Sequence, residues 1–400
     1  MKAFCGLPIA LGCLLHGSAF AQLPPITQAP PPYAFSNWTR VGTTDHATEY
    51  GASFPSPLPS PYPENNLVPL EVFVPDSRGP VPVVLILHYW GASDLKVERA
   101  LADDLAERGL GSAIMTLPFH LQRTPEGHRS GSMAVTGDPE SIKFTIVEAV
   151  MDARRSIDFL ASRPEFDPKQ VGLAGISLGS IIGSAVYGAD GRISRAAFML
   201  GGVDLAHILW SSARVVPERE ILRKNGYTES TLADDLAPVE PLTLLKSRTA
   251  EGNALVVGAK FDTVVPREST EDLIAALPHV QTLWIDTGHY GGVFVQNRLL
   301  REVSKYFAAS FGGEAYAPPR RILAPTIRIG ADFGLYEGFD IGVGVDFIPR
   351  RDLRSPIGTF LLTPRGPRVF LGQGIDRALG IGVLVTPNHV RAAVLWSIVL

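Results

Sequence analysis

The run Gly175-Ile176-Ser177-Leu178-Gly179 decides how the rest of the chain is read. Before it, Gln170-Val171-Gly172-Leu173-Ala174 is a short apolar stretch with the signature of a buried strand. After it, Ser180-Ile181-Ile182-Gly183-Ser184-Ala185-Val186-Tyr187 reads as a helix rich in small residues. Strand, G-x-S-x-G and helix together put a serine on a tight turn above a sheet. The turn strains the serine backbone, and the glycines let strand and helix approach. The hydroxyl is left facing outward, where a base and a substrate can both reach it.

The chain around this turn alternates strand and helix. Val81 to Leu87 is a continuous apolar run, as expected of a strand covered on both faces. It ends at His88-Tyr89-Trp90-Gly91, and Leu95 to Arg108 reads as the next helix, stopped by Gly109. Leu110 to Leu117 is a strand, and Ser141 to Ser162 a long amphipathic helix. Further strands are expected at 195–200, 254–258 and 281–285, with helices at 268–277 and 292–311. Such alternation predicts a mostly parallel sheet with helices on both faces, and its chemistry gathers at the carboxyl ends of the strands.

Two of those ends carry the partners a serine needs. Asp262 follows the strand at Val257, within Gly258 to Pro266, and His289 follows the strand at Ile285, after Gly288. The order Ser177, Asp262, His289 is nucleophile, acid, base. Serine is a weak nucleophile unless a base takes its proton, and the base needs an acid to fix its tautomer. Asp204, in Gly201-Gly202-Val203-Asp204, is a rival for the acid, and Asp286 sits close to His289 along its loop. His88 is a rival catalytic histidine; His207 and His279 have no motif around them.

On Gly175-x-Ser177-x-Gly179, Asp262 in Gly258 to Pro266, and Gly288-His289, the stretch from Leu67 to about Gly313 resembles the α/β-hydrolases, near the dienelactone hydrolase and acetyl xylan esterase branches. Glu240-Pro241-Leu242 resembles a segment often found before the acid strand. The resemblance implies an α/β-hydrolase fold and ester cleavage through an acyl-enzyme, without metal or organic cofactor. It places one oxyanion donor at the backbone N–H of Leu178 and the other after the first buried strand, at Trp90 or at Tyr89. His88-Tyr89 departs from the usual His-Gly there, which leaves the register of the second donor open.

The loop from Pro118 to Gly131 follows a strand end, so it should overhang the site. His120, Arg123 and Arg129 are read as a wall for a polar or acidic substrate group, against the alternative of a solvated loop. The insertion from Ala206 to Arg248 would cap the pocket, with Trp210, Ile208 and Leu209 lining it or buried in ordinary core.

The flanks are of different character. Met1-Lys2, a short apolar run and Ala19-Phe20-Ala21 form a secretory signal, expected to be cleaved after Ala21, with export to periplasm, outer membrane or exterior. Cys13 as a lipidated cysteine is the alternative. Both cysteines lie inside this segment. Gln22 to Asn66 is proline-dense and reads as an extended linker or surface strap. The formal net charge of −4 over 400 residues gives no reason to expect nucleic acid as a partner.

From 314 to 400 the period changes to two, and an antiparallel all-β module of four to six strands is expected. Phe339, Ile341, Val343, Val345 and Phe347 share one face, with Asp340, Gly342, Gly344 and Asp346 on the other. Residues 318–400 serve either packing and self-association or outer-membrane association. A closed membrane barrel takes at least about eight strands, so for that reading several copies of a tail this short are expected to combine. The whole reads as a serine hydrolase acting on a small-molecule ester. Amide cleavage, and a silent fold used for binding, are the alternatives.

Overall fold

The computed structural model describes residues 23–324, 326–334, 338–348, 354–376 and 378–399, with backbone alone at 326–328, 330–334, 338 and 339. The signal segment and Cys13 lie outside the described residues.

Ten strands form one sheet: β1 (Trp38–Thr43), β2 (Ala47–Pro55), β3 (Leu67–Pro75), β4 (Val81–Leu87), β5 (Gly111–Met115), β6 (Phe166–Ile176), β7 (Ile193–Met199), β8 (Asn253–Ala259), β9 (Val280–Ile285) and β10 (Arg321–Ile322). Their order is β1-β2-β3-β5-β4-β6-β7-β8-β9-β10. Strands β1, β2 and β3 run antiparallel to their neighbours, and β5, β4 and β6 to β10 are parallel. The parallel strands are apolar almost throughout because both faces are covered. On one face lie α1 (Lys96–Ala106) and α9 (Gln296–Phe311), whose Leu101, Leu105, Val303 and Phe307 share a core with Val84, Ile86 and Val257. On the other lie α2 (Pro139–Ala161), α3 (Leu178–Ala189), α7 (Pro241–Ser247) and α8 (Arg267–Ala276), packed on Val83, Leu85 and Leu173.

Two expectations are corrected here. The proline-dense segment is a strap only in part. Residues 38–55 supply β1 and β2, so β3 lies inside the sheet. β1 has no proline, and in β2 the one proline, Pro55, is the last residue. Upstream of β1 the strap reading fits. Arg154 donates to the carbonyls of Thr27 and Gln28 at 2.9 and 2.6 Å, and Arg155 to those of Pro31 and Pro55, both at 2.8 Å. A chain with few N–H groups is thus held by its carbonyls. Second, the C-terminal segment contributes β10 to the large sheet before forming its own structure.

That structure is a closed barrel of β11 (Thr326–Gly334), β12 (Gly338–Asp346), β13 (Pro356–Thr363), β14 (Gly366–Gly374), β15 (Leu379–Val385) and β16 (Val390–Val399). It closes within one chain when β11 pairs with β16. Six strands can close because small residues sit where neighbouring strands crowd. A Cβ on Gly342 would lie 2.7 Å from the carbonyl oxygen of Leu362, and one on Gly382 2.1 Å from that of Leu371. Inside, Ile357, Leu361, Phe370, Leu384 and Leu395 form a small core. Asp340 accepts there from Arg368 at 2.7 Å and from Thr363 at 2.8 Å.

Candidate active site

Strand β6 ends at Ile176 and α3 begins at Leu178, so Ser177 is the whole of the turn between them. Its φ of 51° is a left-handed backbone conformation that a serine adopts only under constraint. The constraint is packing. A Cβ on Gly175 would lie 2.2 Å from the carbonyl oxygen of Gly179, and one on Gly179 2.2 Å from that of Leu87. Only glycine at both positions lets strand and helix close on the serine.

The three residues expected to act together are brought together. Ser177 Oγ is 3.0 Å from His289 Nε2, and His289 Nδ1 is 2.7 Å from Asp262 Oδ2. The other carboxylate oxygen of Asp262 accepts from the amides of Val264 and Val265, both at 2.9 Å. The carboxylate is thereby fixed with one oxygen committed to the ring. Asp262 and His289 are buried, so water competes little for these bonds.

The rivals are engaged elsewhere. Asp204 caps α4 (Leu205–Ser211) by accepting from the His207 amide at 3.0 Å, while its own amide donates to Glu240. Asp286 is buried with Lys260 and lies 3.6 Å from Arg321. His88 donates from Nδ1 to the Tyr89 carbonyl at 2.8 Å, and its Nε2 accepts from the Leu117 amide at 3.0 Å. Burial, with the neighbouring His120 adding to it, lowers the His88 pKa to about 3, so the ring is a neutral brace.

The turn 88–91 faces Ser177. The amide of Gly91 donates to His120 Nε2 at 3.0 Å. Close to Tyr89 lies the buried carboxylate of Glu98, on α1. Burial raises the Glu98 pKa to about 7. The turn thus brings the backbone of both Tyr89 and Trp90 to the space beside Ser177. The amide of Leu178, first in its helix, has no acceptor within α3. The Trp90 indole donates to the Gly131 carbonyl at 2.7 Å, and Arg214 stacks on its ring at 4.6 Å.

Two apolar recesses meet at Ser177, sharing Trp90, Arg214 and Val264. One runs under the insertion, walled by Ile142, Ile146, Ala149, Ile182, Ile208 and Leu209. The other opens past Tyr89, Leu200 and Tyr290. The insertion holds α4, α5 (Val216–Lys224) and α6 (Glu229–Leu236) and caps the first recess.

The substrate wall expected from the loop 118–131 is largely corrected. Arg123 is fully buried away from both recesses, bonded to Glu148 at 3.0 Å and Asp152 at 2.8 Å and to the carbonyls of Thr116 and Asn65. Arg129 is exposed and lines neither recess. Trp210 lines neither, and Arg223 stacks on it. His120 does line the first recess, but both its nitrogens are used, Nδ1 donating to the Pro118 carbonyl at 2.8 Å. Burial lowers its pKa to about 4. The loop braces the turn 88–91 instead of presenting charges to a ligand. Arg214 was invisible in the sequence, because nothing around it marks a position above the serine.

No family model and no curated protein matches this chain. Solved structures do. The acetyl xylan esterase from Paenibacillus sp. R4 superposes with a TM-score of 0.53 at 18% identity, over 68% of this chain and 87% of that one. Acetyl Xylan Esterase 1 from Thermoanaerobacterium sp. JW/SL YS485 does so with a TM-score of 0.53 at 14% identity, over 68% and 86%. At these identities the likeness is one of fold, and the fold is that of the α/β-hydrolases.

Proposed function

We propose that the protein is an exported serine hydrolase that cleaves carboxylic esters through an acyl-enzyme. The observation that carries the reading is the continuous relay from Ser177 Oγ through His289 to Asp262 at the carboxyl edge of the sheet. His289 takes the serine proton as Oγ attacks the ester carbonyl, then gives it to the leaving alcohol. Asp262 holds the proton on Nδ1 and stabilises the imidazolium. The amide of Leu178 and that of Trp90 or Tyr89 receive the oxyanion. A missing donor of this kind costs about 3 kcal/mol of barrier. Water repeats the sequence with His289 as base and frees the acid.

The recess under the cap suits an apolar acyl group, since its walls are aliphatic and offer no fixed charge besides Arg214 at its mouth. The second recess leads outward and suits the departing alcohol. Esterases among the fold relatives support this class of substrate. Export rests on residues 1–21. The test is steady-state hydrolysis of p-nitrophenyl acetate and p-nitroacetanilide by wild type and Ser177→Ala. The reading expects ester turnover that the variant loses by at least about a thousandfold, with the anilide much slower. Faster anilide cleavage would make the protein an amidase, and unchanged ester turnover in the variant would remove Ser177 from the mechanism.

A further inference from the structure

Strands β12 to β16 turn apolar side chains outward as well as inward, unlike a barrel that faces water. Among the described residues of these five strands Asp340, Asp346 and Arg368 are buried in the barrel and Arg391 is half-buried, so none of their charged side chains stands on the outer wall. Asp346 and Asp340 accept from Thr359 and Thr363, and Arg368 pairs with Asp340, so the interior charges are satisfied. Each strand carries at least one large apolar residue outward: Ile329, Val343, Leu362, Leu371, Ile381 and Trp396, between 39% and 63% exposed. Monomeric soluble proteins do not leave so continuous an apolar surface to water.

What covers such a wall is limited by its shape. A protein partner or a second copy would cover an arc, yet the apolar residues face outward on all six strands. Only a medium that surrounds the barrel meets them all. The exposed charged residues Arg354, Arg365 and Asp376 lie in the hairpin connections, so the apolar belt has polar ends, as a lipid layer has two headgroup planes. Strands of 7 to 10 residues are close to the ~9–11 that tilted strands need to cross a hydrocarbon core. The filled interior makes the barrel an anchor and not a pore.

We infer that the outer wall of the C-terminal barrel sits in a lipid bilayer and tethers the hydrolase to a membrane surface. The inference rests on the barrel alone and is independent of the ester reading. It also bears on the site, because the Thr263 hydroxyl, next to Asp262, donates to the Val399 carbonyl at the barrel's end at 2.7 Å. The apolar residues Tyr290, Val293 and Phe294, exposed just after His289, belong to the same region, since β11 packs against that turn.

The test is flotation of the full chain with vesicles of phosphatidylcholine, and of phosphatidylethanolamine with phosphatidylglycerol, at low and high salt. Trp396 fluorescence is read in vesicles with brominated acyl chains, against Trp396→Phe. Flotation on both vesicles that salt does not reverse is expected, with a quenched component absent from Trp396→Phe. The combined variant Val343→Asp, Leu362→Asp, Ile381→Asp should lose at least about tenfold in partitioning and keep its ester turnover. If that variant does not fold, quenching of Trp396 in the wild type still decides. Absence of flotation, flotation that salt abolishes, or a Trp396 that brominated lipid does not quench would overturn the inference. So would a stable oligomer in lipid-free buffer that no longer binds vesicles, because a second copy would then cover the wall.

Discussion

Asp262→Asn is the substitution whose outcome the geometry determines most closely. One carboxylate oxygen of Asp262 accepts from two backbone amides, and the other accepts from His289 Nδ1 at 2.7 Å. An asparagine has one acceptor oxygen and one donor nitrogen. The amides of Val264 and Val265 can only donate, so they hold the asparagine oxygen on their side. Its NH2 then faces Nδ1, and two donors cannot share that contact. The imidazole responds by moving its proton to Nε2, the atom 3.0 Å from Ser177 Oγ. A protonated Nε2 has no lone pair for the serine proton, so the general base is lost while the fold is kept. The expected loss in kcat/KM is about a thousand- to ten-thousandfold, or roughly 4 to 5.5 kcal/mol of barrier. The melting temperature should change little, because both amides keep their acceptor. The assay is p-nitrophenyl acetate hydrolysis at pH 7.5 beside a thermal melt of the same samples. A variant within tenfold of wild type, with an unchanged melt, would refute the assignment of Asp262 as the acid.

Other expectations follow from the buried charges and the recess. Arg123→Met should destabilise the fold by about 3–5 kcal/mol, since it leaves Glu148 and Asp152 together without their cation, and should leave KM unchanged below the melt; a KM effect without loss of stability would restore Arg123 as a substrate contact. Glu98 has a folded pKa of about 7 against an ordinary 4.5, so the folded chain keeps a proton that the unfolded chain has released. Its contribution to stability therefore falls as pH rises from about 4.5 to 7, by roughly 3 kcal/mol in all. Glu98→Gln should melt higher than wild type at pH 8 and lose that advantage near pH 4.5, as read by melts across pH. His88 and His120 act with the opposite sign, because the unfolded chain takes up their protons first. The stability they contribute is present at pH 7 and is lost as pH falls from about 6.5 toward 4, and His120→Gln should flatten that acid limb. Ala149→Leu narrows the capped recess and should cut turnover of p-nitrophenyl octanoate by about tenfold or more while sparing the acetate, in parallel kinetic assays.

The parts of this arrangement that were legible in the sequence are those fixed by local constraints. Gly175 and Gly179 announce the turn because no other residue fits between β6, α3 and β4. Asp262 and His289 follow strands whose apolar runs are unmistakable. What stayed hidden depends on contacts between distant segments. Arg123 stands in a loop that suggests solvent or substrate, and only its approach to α2 reveals Glu148 and Asp152 as partners. Strands β1 and β2 were masked by the prolines that flank them, of which Pro55 ends β2. The barrel's alternation was readable, but its closure depends on how closely β12, β14 and β15 can approach at glycines, which no count of strands reveals.

The central claim is that Ser177 is a live nucleophile whose hydroxyl is activated through His289. The most direct measurement is the intact mass of the protein after brief exposure to a fluorophosphonate, with peptide mapping of the adduct, on wild type, Ser177→Ala and His289→Gln. The account predicts one adduct per chain, mapped to Ser177, absent from Ser177→Ala and slowed by orders of magnitude in His289→Gln. An adduct on another residue, or a wild type that stays unlabelled while properly folded, would contradict it.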